Sequence, residues 1–208
     1  MTKRIGLIFG SFNPVHRGHI QLAKTCIDIN KVDEVIFIVA KQDSFDNNYH
    51  ISFLQRFDML LLQLQNEDKK YVDKIFVSNI ENEVEDTRTY SVLLKLKEYL
   101  NTKDDYDDIE FVIICGDDMY NQIGTWYNGQ KILNDYKFFI FSRKFIKEDL
   151  HKHISKNVIG LAKIPDILNI SSLDIRKKIK NKEYVLDCIS DKVLDYINAN
   201  NLYLEDTM

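Results

Sequence analysis

The sequence predicts an α/β fold with a doubly wound parallel sheet and a helical C-terminal tail. Short runs rich in β-branched and aromatic residues alternate with segments of helical periodicity, and several of these runs are apolar at consecutive positions. Strands that are covered by helices on both faces have this pattern. After Pro165 only helical patterns remain, at 171–180 and 191–199. Such alternation is typical of right-handed βαβ units, in which ligands bind at the carboxyl ends of the strands.

Local residue patterns place the strands and helices that precede this tail. Strands are predicted from β-branched and aromatic runs at 4–9, 34–40, 74–78, 109–115, 137–142 and 157–164. Helices are predicted at 18–29, 50–65 and 91–100, because apolar residues recur there at every third or fourth position. The buried stripe of the second helix is predicted to consist of Phe53, Phe57, Leu60, Leu61 and Leu64.

Length and charge limit the classes of protein that the chain can represent. Its 208 residues fit one domain spanning 1–208. A net charge of −4 is the opposite of a nucleic-acid-binding footprint, so no nucleic acid is expected as a partner and an anionic ligand would need local donors. The N-terminal segment predicts neither a signal peptide nor a membrane span. Assembly into a homo-oligomer is compatible with the sequence.

The cysteines indicate the compartment. Cys26, Cys115 and Cys188 are odd in number and far apart, and two of them lie inside apolar runs. This pattern predicts reduced, buried thiols rather than a disulfide framework. A cytoplasmic protein without membrane attachment is therefore expected.

The clearest site motif is the turn between the first strand and the first helix, which reads GSFNPVHRGH over residues 10–19. Backbone N–H groups and the positive end of a helix dipole can bind phosphate at such a turn. Gly10 permits a tight turn, Gly18 leaves space for a ligand, and His16 and His19 lie three positions apart, so both imidazoles can face one side. Ordinary surface histidines and a metal site are the alternatives, although the turn contains no Cys, Asp or Glu to complete a metal site.

A second motif, ISSLDIR at residues 170–176, begins a helix of the tail. Ser171 and Ser172 offer hydroxyl groups at the helix start, and Arg176 adds a guanidinium one turn later. Together with backbone amides, these groups suit the oxygens of a triphosphate. The alternative is an ordinary serine cap followed by a solvated arginine.

These two motifs resemble the His-x-Gly-His and Ile-Ser-Ser-x-x-Ile-Arg signatures of the nucleotidyltransferase superfamily, whose members have a Rossmann-like fold. The superfamily transfers a nucleotidyl group from a nucleoside triphosphate to a phosphate or an alcohol. The resemblance implies that His16, His19 and Arg176 are catalytic and stabilise phosphate charge without a covalent intermediate. It further implies that the nucleotide is bound at Gly10, Ser11, Phe12, Gly18, Ser171 and Ser172.

The middle of the chain and its last helix are similar to the nicotinate or nicotinamide mononucleotide adenylyltransferases of that superfamily. The similar segments are GDDM at 116–119, TWY at 125–127 and residues 189–203. The resemblance implies that Gly116 and Asp118 bind the adenosine part of ATP and that Trp126 stacks on the pyridine ring of the acceptor. A tryptophan that only packs in the core is the alternative.

Two more segments are implied to contact the acceptor. In the family, the segment that resembles Thr89, Tyr90 and Ser91 provides donors to the carboxylate or carboxamide of the pyridine. Amides at a helix start favour an anion and hence nicotinate, whereas an ordinary N-cap is the alternative. Lys41 corresponds to basic residues near the phosphate of the mononucleotide, and a solvated edge position is its alternative.

The expected reaction is adenylyl transfer from ATP to nicotinate mononucleotide, which gives nicotinate adenine dinucleotide and pyrophosphate, a step of NAD biosynthesis. Mg²⁺ is expected on the ATP phosphates with water ligands, so no protein residue is named as a metal ligand. The alternatives are nicotinamide mononucleotide as the preferred acceptor and another transferase of the superfamily, such as a phosphopantetheine adenylyltransferase. A non-catalytic nucleotide-sensing module is an alternative from a different class.

Overall fold

The computed structural model describes residues 2–42, 51–65, 67–103, 106, 108–142, 155–165 and 170–204. Parallel strands within these residues form one six-stranded sheet in the order β3-β2-β1-β4-β5-β6. The strands are β1 (Lys3–Gly10), β2 (Glu34–Val39), β3 (Ile75–Ser78), β4 (Ile109–Gly116), β5 (Lys137–Ser142) and β6 (Val158–Lys163). The doubly wound sheet and all the predicted strands are thus confirmed. The strand order reverses between β1 and β4, which is where such folds bind their ligands.

Helices connect the strands and form the tail. They are α1 (Arg17–Asp28), α2 (Phe53–Leu64), α3 (Lys69–Val72), α4 (Ile80–Glu83), α5 (Thr89–Leu100), α6 (Asp117–Gln122), α7 (Gly129–Asp135), α8 (Ser172–Lys180) and α9 (Asp191–Ala199). The five predicted helices are present as α1, α2, α5, α8 and α9, and the predicted start at residue 50 lies outside the described residues. The sequence did not predict α3, α4, α6 and α7, because four to seven residues are too few to establish a helical period. No helix among the described residues has the length and apolar character needed to cross a membrane.

Both faces of the sheet are buried, which explains the consecutive apolar residues in its strands. Phe37 of β2 belongs to a core that also contains residues of α1, α2, α8 and α9. Its neighbour Ile36 belongs to the opposite core, together with residues of α5 and α7. Successive strand residues point to opposite faces, so each face needs its own apolar set.

The buried face of α2 agrees with the predicted stripe except at Leu61. Leu61 is 40% exposed, whereas the side chains buried on this helix are those of Arg56, Met59, Leu60 and Gln63. Leu60 is buried as predicted, and Phe53, Phe57 and Leu64 are half-buried against the core. Two polar residues, Arg56 and Gln63, are buried in addition. Their burial is possible because the Arg56 guanidinium and the Gln63 amide oxygen are hydrogen-bonded to backbone groups of neighbouring loops.

The cysteines have the predicted free state. Cys26 and Cys115 are buried, and desolvation raises the pKa of each thiol to about 12. Cys188 is only partly buried, so the prediction of burial holds for two of the three thiols.

Candidate active site

A cleft of about 530 Å³ opens at the carboxyl ends of β1 and β4. Residues from distant parts of the sequence line it, namely Ile8, Phe9, His19, Leu22, Ile114, Cys115, Gly116, Asp117, Asp118, Met119, Asn121, Phe141 and Ile164. Its place at the carboxyl ends of the strands agrees with the prediction from sequence, and the structure shows that it lies where the strand order reverses. A smaller cavity of about 330 Å³, between α8, α9 and residues 182–186, contains none of the predicted site residues.

Phe12 shapes the turn between β1 and α1. Its backbone is left-handed, with φ of 51°, and its buried ring contacts the rings of Phe37 and His19 edge-on at centroid distances of 5.4 and 5.1 Å. A Cβ atom on Gly10 would lie 3.1 Å from this ring. Phe12 thus packs closely against Gly10, and a side chain at position 10 would require its ring to shift by a few tenths of an ångström.

The two histidines face one another across the first turn of α1. Their rings stack with centroids 3.7 Å apart and planes inclined by 23°, and the His16 backbone N–H donates to Nδ1 of His19 at 3.3 Å. Because Nδ1 accepts this bond, the proton of the neutral His19 ring lies on Nε2, which becomes a hydrogen-bond donor. His16 is only 6% exposed and His19 lines the cleft, so this pair is not an ordinary surface pair.

The second motif contacts the same turn. Arg176 is buried and donates from Nη1 to the carbonyl of Asn13 at 2.5 Å, and the Ser172 hydroxyl donates to the carbonyl of Pro14 at 2.8 Å. The Asn13–Pro14 peptide bond is cis. Ser171 is the N-cap of α8, and its hydroxyl oxygen accepts a hydrogen bond from the Asp174 backbone N–H. This residue therefore has the ordinary capping role that was the alternative to phosphate binding. The structure thus brings the two motifs together, with Ser172 and Arg176 directly on the turn.

Two aspartates after β4 have different surroundings. Asp117 accepts a hydrogen bond of 2.5 Å from the Ser142 hydroxyl of β5 and another of 3.0 Å from the Asp118 backbone N–H. Asp118 lines the cleft, and a Cβ atom on Gly116 would collide with its carboxylate. Gly116 therefore permits the position of Asp118, and the hydrogen bonds of Asp117 fix the start of α6, which contains Asp118.

The predicted acceptor segments lie side by side. The guanidinium of Arg88 is 3.6 Å from the ring centroid of Tyr127, which follows the half-buried Trp126. This contact joins the start of α5 to the segment after α6. Thr89, Tyr90 and Ser91 form the first turn of α5, and the N-cap residue is Arg88. The alternative that one of these three residues is the N-cap is therefore wrong.

Asp86 organises the start of α5. Arg88 donates to both of its carboxylate oxygens at 2.7 Å, and the Ser91 hydroxyl donates to Oδ2 at 2.6 Å. These hydrogen bonds hold the pKa of Asp86 well below its ordinary value. The sequence did not predict the contact between Asp86 and Arg88, because both residues lie in a charged stretch that is typical of a solvated surface.

Lys41 is anchored at the end of β2 rather than free at a solvated edge. Its backbone N–H donates to Oε2 of Glu81 at 3.0 Å, and its Nζ donates to the carbonyl of Val84 at 3.2 Å. Arg56 of α2 is buried beneath the same segment and binds the carbonyls of Ser11, Ala40 and Lys41. Sequence patterns missed Arg56 as a site residue, although an arginine at an inward position of an apolar helix was the available signal.

A doubly wound sheet with a stacked histidine pair at its switch-point turn defines a nucleotide-binding α/β protein of the Rossmann-like class. The chain belongs to the cytidylyltransferase-like family, whose model matches residues 7–178.

Several relatives are similar to the chain along almost its whole length. A protein of Carboxydothermus hydrogenoformans named probable nicotinate-nucleotide adenylyltransferase is 35% identical over 207 residues, which cover 96% of this chain and 98% of the relative. A Borreliella burgdorferi protein of the same name is 33% identical and is covered to 97%, as is this chain. Nicotinic acid mononucleotide adenylyltransferase of Plasmodium falciparum, solved with NaAD, is 27% identical, with a TM-score of 0.77 and 97% of both chains covered.

Proposed function

We propose that the protein is a nicotinate-nucleotide adenylyltransferase, which joins ATP and nicotinate mononucleotide to give nicotinate adenine dinucleotide and pyrophosphate. The stacked pair of His16 and His19 at the turn after β1 carries this proposal. The relatives that match the chain end to end bear the name of this activity, and the related parasite enzyme was solved with the dinucleotide.

The acceptor's own phosphate is the nucleophile in this reaction. A phosphate monoester is largely ionised at neutral pH, so no general base is required. The protein must align an acceptor oxygen with the α-phosphorus and neutralise charge on the leaving pyrophosphate. We assign the neutralising role to His16, His19 and Arg176, which all lie on or against one turn.

Donors for the triphosphate are available around this turn. The Nε2–H of His19 is one donor, because Nδ1 accepts from the backbone of His16. The buried Ser11 hydroxyl has no hydrogen-bond partner among the described residues and can supply another. The start of α1 adds the positive end of its dipole. Gly116 and Asp118, on the other side of the cleft, are proposed to bind the adenosine part.

The acceptor is proposed to bind between the start of α5 and the segment after α6. Trp126 would stack on the pyridine ring, because an indole face suits an electron-poor ring. The first-turn residues Thr89 and Tyr90 would face the carboxylate with free amides of α5. The Ser91 hydroxyl donates to Asp86 and its backbone N–H donates to the carbonyl of Arg88, so its expected contribution is to hold the first turn of α5 in place. Lys41 would lie near the acceptor phosphate.

Mg²⁺ is proposed to enter on the triphosphate, where it would neutralise phosphate charge. The cleft suits an ion held mainly by phosphate oxygens and water, since Asp117 is hydrogen-bonded to Ser142 and to the backbone of Asp118. We also propose a cytoplasmic location, which fits three free thiols. The net charge of −4 favours small-molecule substrates over nucleic acid.

Pyrophosphate release tests the proposed function. Purified protein would be incubated with MgATP and, in turn, nicotinate mononucleotide, nicotinamide mononucleotide and phosphopantetheine, and the nucleotide product identified by mass. The proposal predicts the highest kcat/KM with nicotinate mononucleotide and no release without an acceptor. ATP binding without pyrophosphate release would instead support a nucleotide sensor, and turnover only with phosphopantetheine would assign another transferase. The double variant His16→Ala, His19→Ala supplies the background rate.

A further inference from the structure

Arg56 connects two loops that leave neighbouring strands of the sheet. Its side chain is only 1% exposed, although it carries a positive charge. Nη1 donates to the carbonyl of Ser11 in the turn after β1 at 2.8 Å, and Nη2 donates to the carbonyl of Ala40 at 2.7 Å and to that of Lys41 at 3.3 Å. One guanidinium therefore holds both loops at fixed positions.

Glu81 holds the second loop from the opposite side. Its carboxylate is 7% exposed and accepts the backbone N–H of Lys41 at 3.0 Å. Burial raises the pKa of Glu81, and the Lys41 N–H and the charge of Arg56 oppose this rise. Residues 40 and 41 thus lie between a buried cation on α2 and a buried acid on α4.

A role in filling the core does not account for this arrangement. Burying a guanidinium is costly, and an apolar side chain of similar volume would pack the same space without the loss of hydration. What arginine adds is a planar fork of donors that can bind several carbonyls at once. A backbone hydrogen bond from Ala40 to Gly10 already joins the ends of β1 and β2 at 2.9 Å, and Arg56 extends that connection into the loops themselves.

We infer that Arg56 is a positioning residue that sets the distance between the triphosphate turn and the acceptor-phosphate segment at Lys41. This inference rests on the proposed function, in which the two loops hold the two reacting phosphates. Phosphoryl transfer depends on alignment of these groups, and a displacement of about 1 Å can reduce the rate roughly 10²-fold. Arg56 itself need not touch either substrate.

The test compares Arg56→Met with Arg56→Lys and with a matched control, Gln63→Met. Gln63 is on the same helix, is fully buried, and accepts one hydrogen bond from the Ser190 backbone N–H at 2.9 Å. Each variant would be checked for folding by circular dichroism and urea unfolding. The readouts are kcat, the KM of each substrate, and calorimetric binding of a non-hydrolysable ATP analogue with and without nicotinate mononucleotide.

Arg56→Met is expected to lower kcat by roughly 10²-fold while the Kd of the ATP analogue alone changes little. Arg56→Lys should recover part of the lost kcat, because an ammonium can bind the carbonyls of one loop. Gln63→Met should lower stability without lowering kcat.

A folded Arg56→Met variant with wild-type kcat would overturn the inference, as would an equal fall in kcat for Gln63→Met. If Arg56→Met does not fold, Arg56→Lys decides, and wild-type kcat in that variant overturns the inference. The proposed function fails separately, when the wild-type protein itself releases no pyrophosphate with either pyridine mononucleotide.

Discussion

The hydroxyl of Tyr203 donates a hydrogen bond of 2.5 Å to Oδ1 of Asn13, although 190 positions separate the two residues. Tyr203 is 2% exposed and Asn13 is 3% exposed, so this bond is shielded from water. Arg176 and Ser172 bind the backbone of the same turn. The helical tail is therefore part of the architecture that holds the stacked histidines in place.

Tyr203→Phe should destabilise the protein by about 1–3 kcal/mol, because it leaves the buried Asn13 oxygen without this donor. Urea unfolding measures the change. Tyr184→Phe is the matched control, since Tyr184 is 66% exposed and its hydroxyl should contribute less than about 0.5 kcal/mol. Equal stability of the two variants would show that the Tyr203–Asn13 bond contributes nothing.

His19→Ala should reduce kcat by roughly 10²–10³-fold, the scale for losing one preorganised donor to developing charge. The fold should persist, because His19 lies at the edge of the cleft rather than in the core. Steady-state pyrophosphate release and circular dichroism measure the two effects. Turnover close to that of the wild type would remove His19 from the catalytic groups.

Trp126→Ala should weaken binding of nicotinate mononucleotide about tenfold, because stacking contributes roughly 0.5–1.5 kcal/mol beyond burial. ATP binding should change little, since the proposed adenosine site lies at Gly116 and Asp118. Calorimetry with each ligand measures both, and Trp126→Phe, which retains an aromatic face, should recover most of the affinity. Similar losses for both ligands would contradict a stacking role.

A thiol reagent at pH 8 should modify one cysteine of the native protein. The pKa values of about 12 leave only roughly 10⁻⁴ of Cys26 and Cys115 as thiolate, and both are buried. The partly exposed Cys188 should react, and Cys188→Ser should abolish the fast phase. All three should react in urea. Rapid modification of two thiols without denaturant would contradict the burial of Cys26 and Cys115.

The sheet could be predicted from the sequence because its physical signal is local. Each strand is a short β-branched or aromatic run buried on both faces, as in Phe37 and Ile36. The face of α2 could not be predicted in full, since the burial of Arg56 and Gln63 depends on carbonyl and amide groups of distant loops. Hydrophobic periodicity contains no information about such partners.

The site was predictable where its residues are neighbours in sequence. His16 and His19 lie three positions apart, so their spacing predicted that both rings can face one side, and the structure shows the two rings stacked. Arg56, Tyr203 and the Asp86–Arg88 pair act through contacts that only the folded chain creates, with Tyr127 as the partner of Arg88. Their residue types suggested ordinary core or surface positions, and the three-dimensional structure was needed to show what they contact.

The most direct test is a crystal structure of the protein with a non-hydrolysable ATP analogue, and the decisive measurement is the distance from the histidine nitrogens to the phosphate oxygens. We predict that Nε2 of His19 and a ring nitrogen of His16 each lie about 2.7–3.2 Å from a phosphate oxygen. Imidazoles directed away from the triphosphate, with the phosphates bound elsewhere, would contradict the assignment of this turn as the catalytic centre.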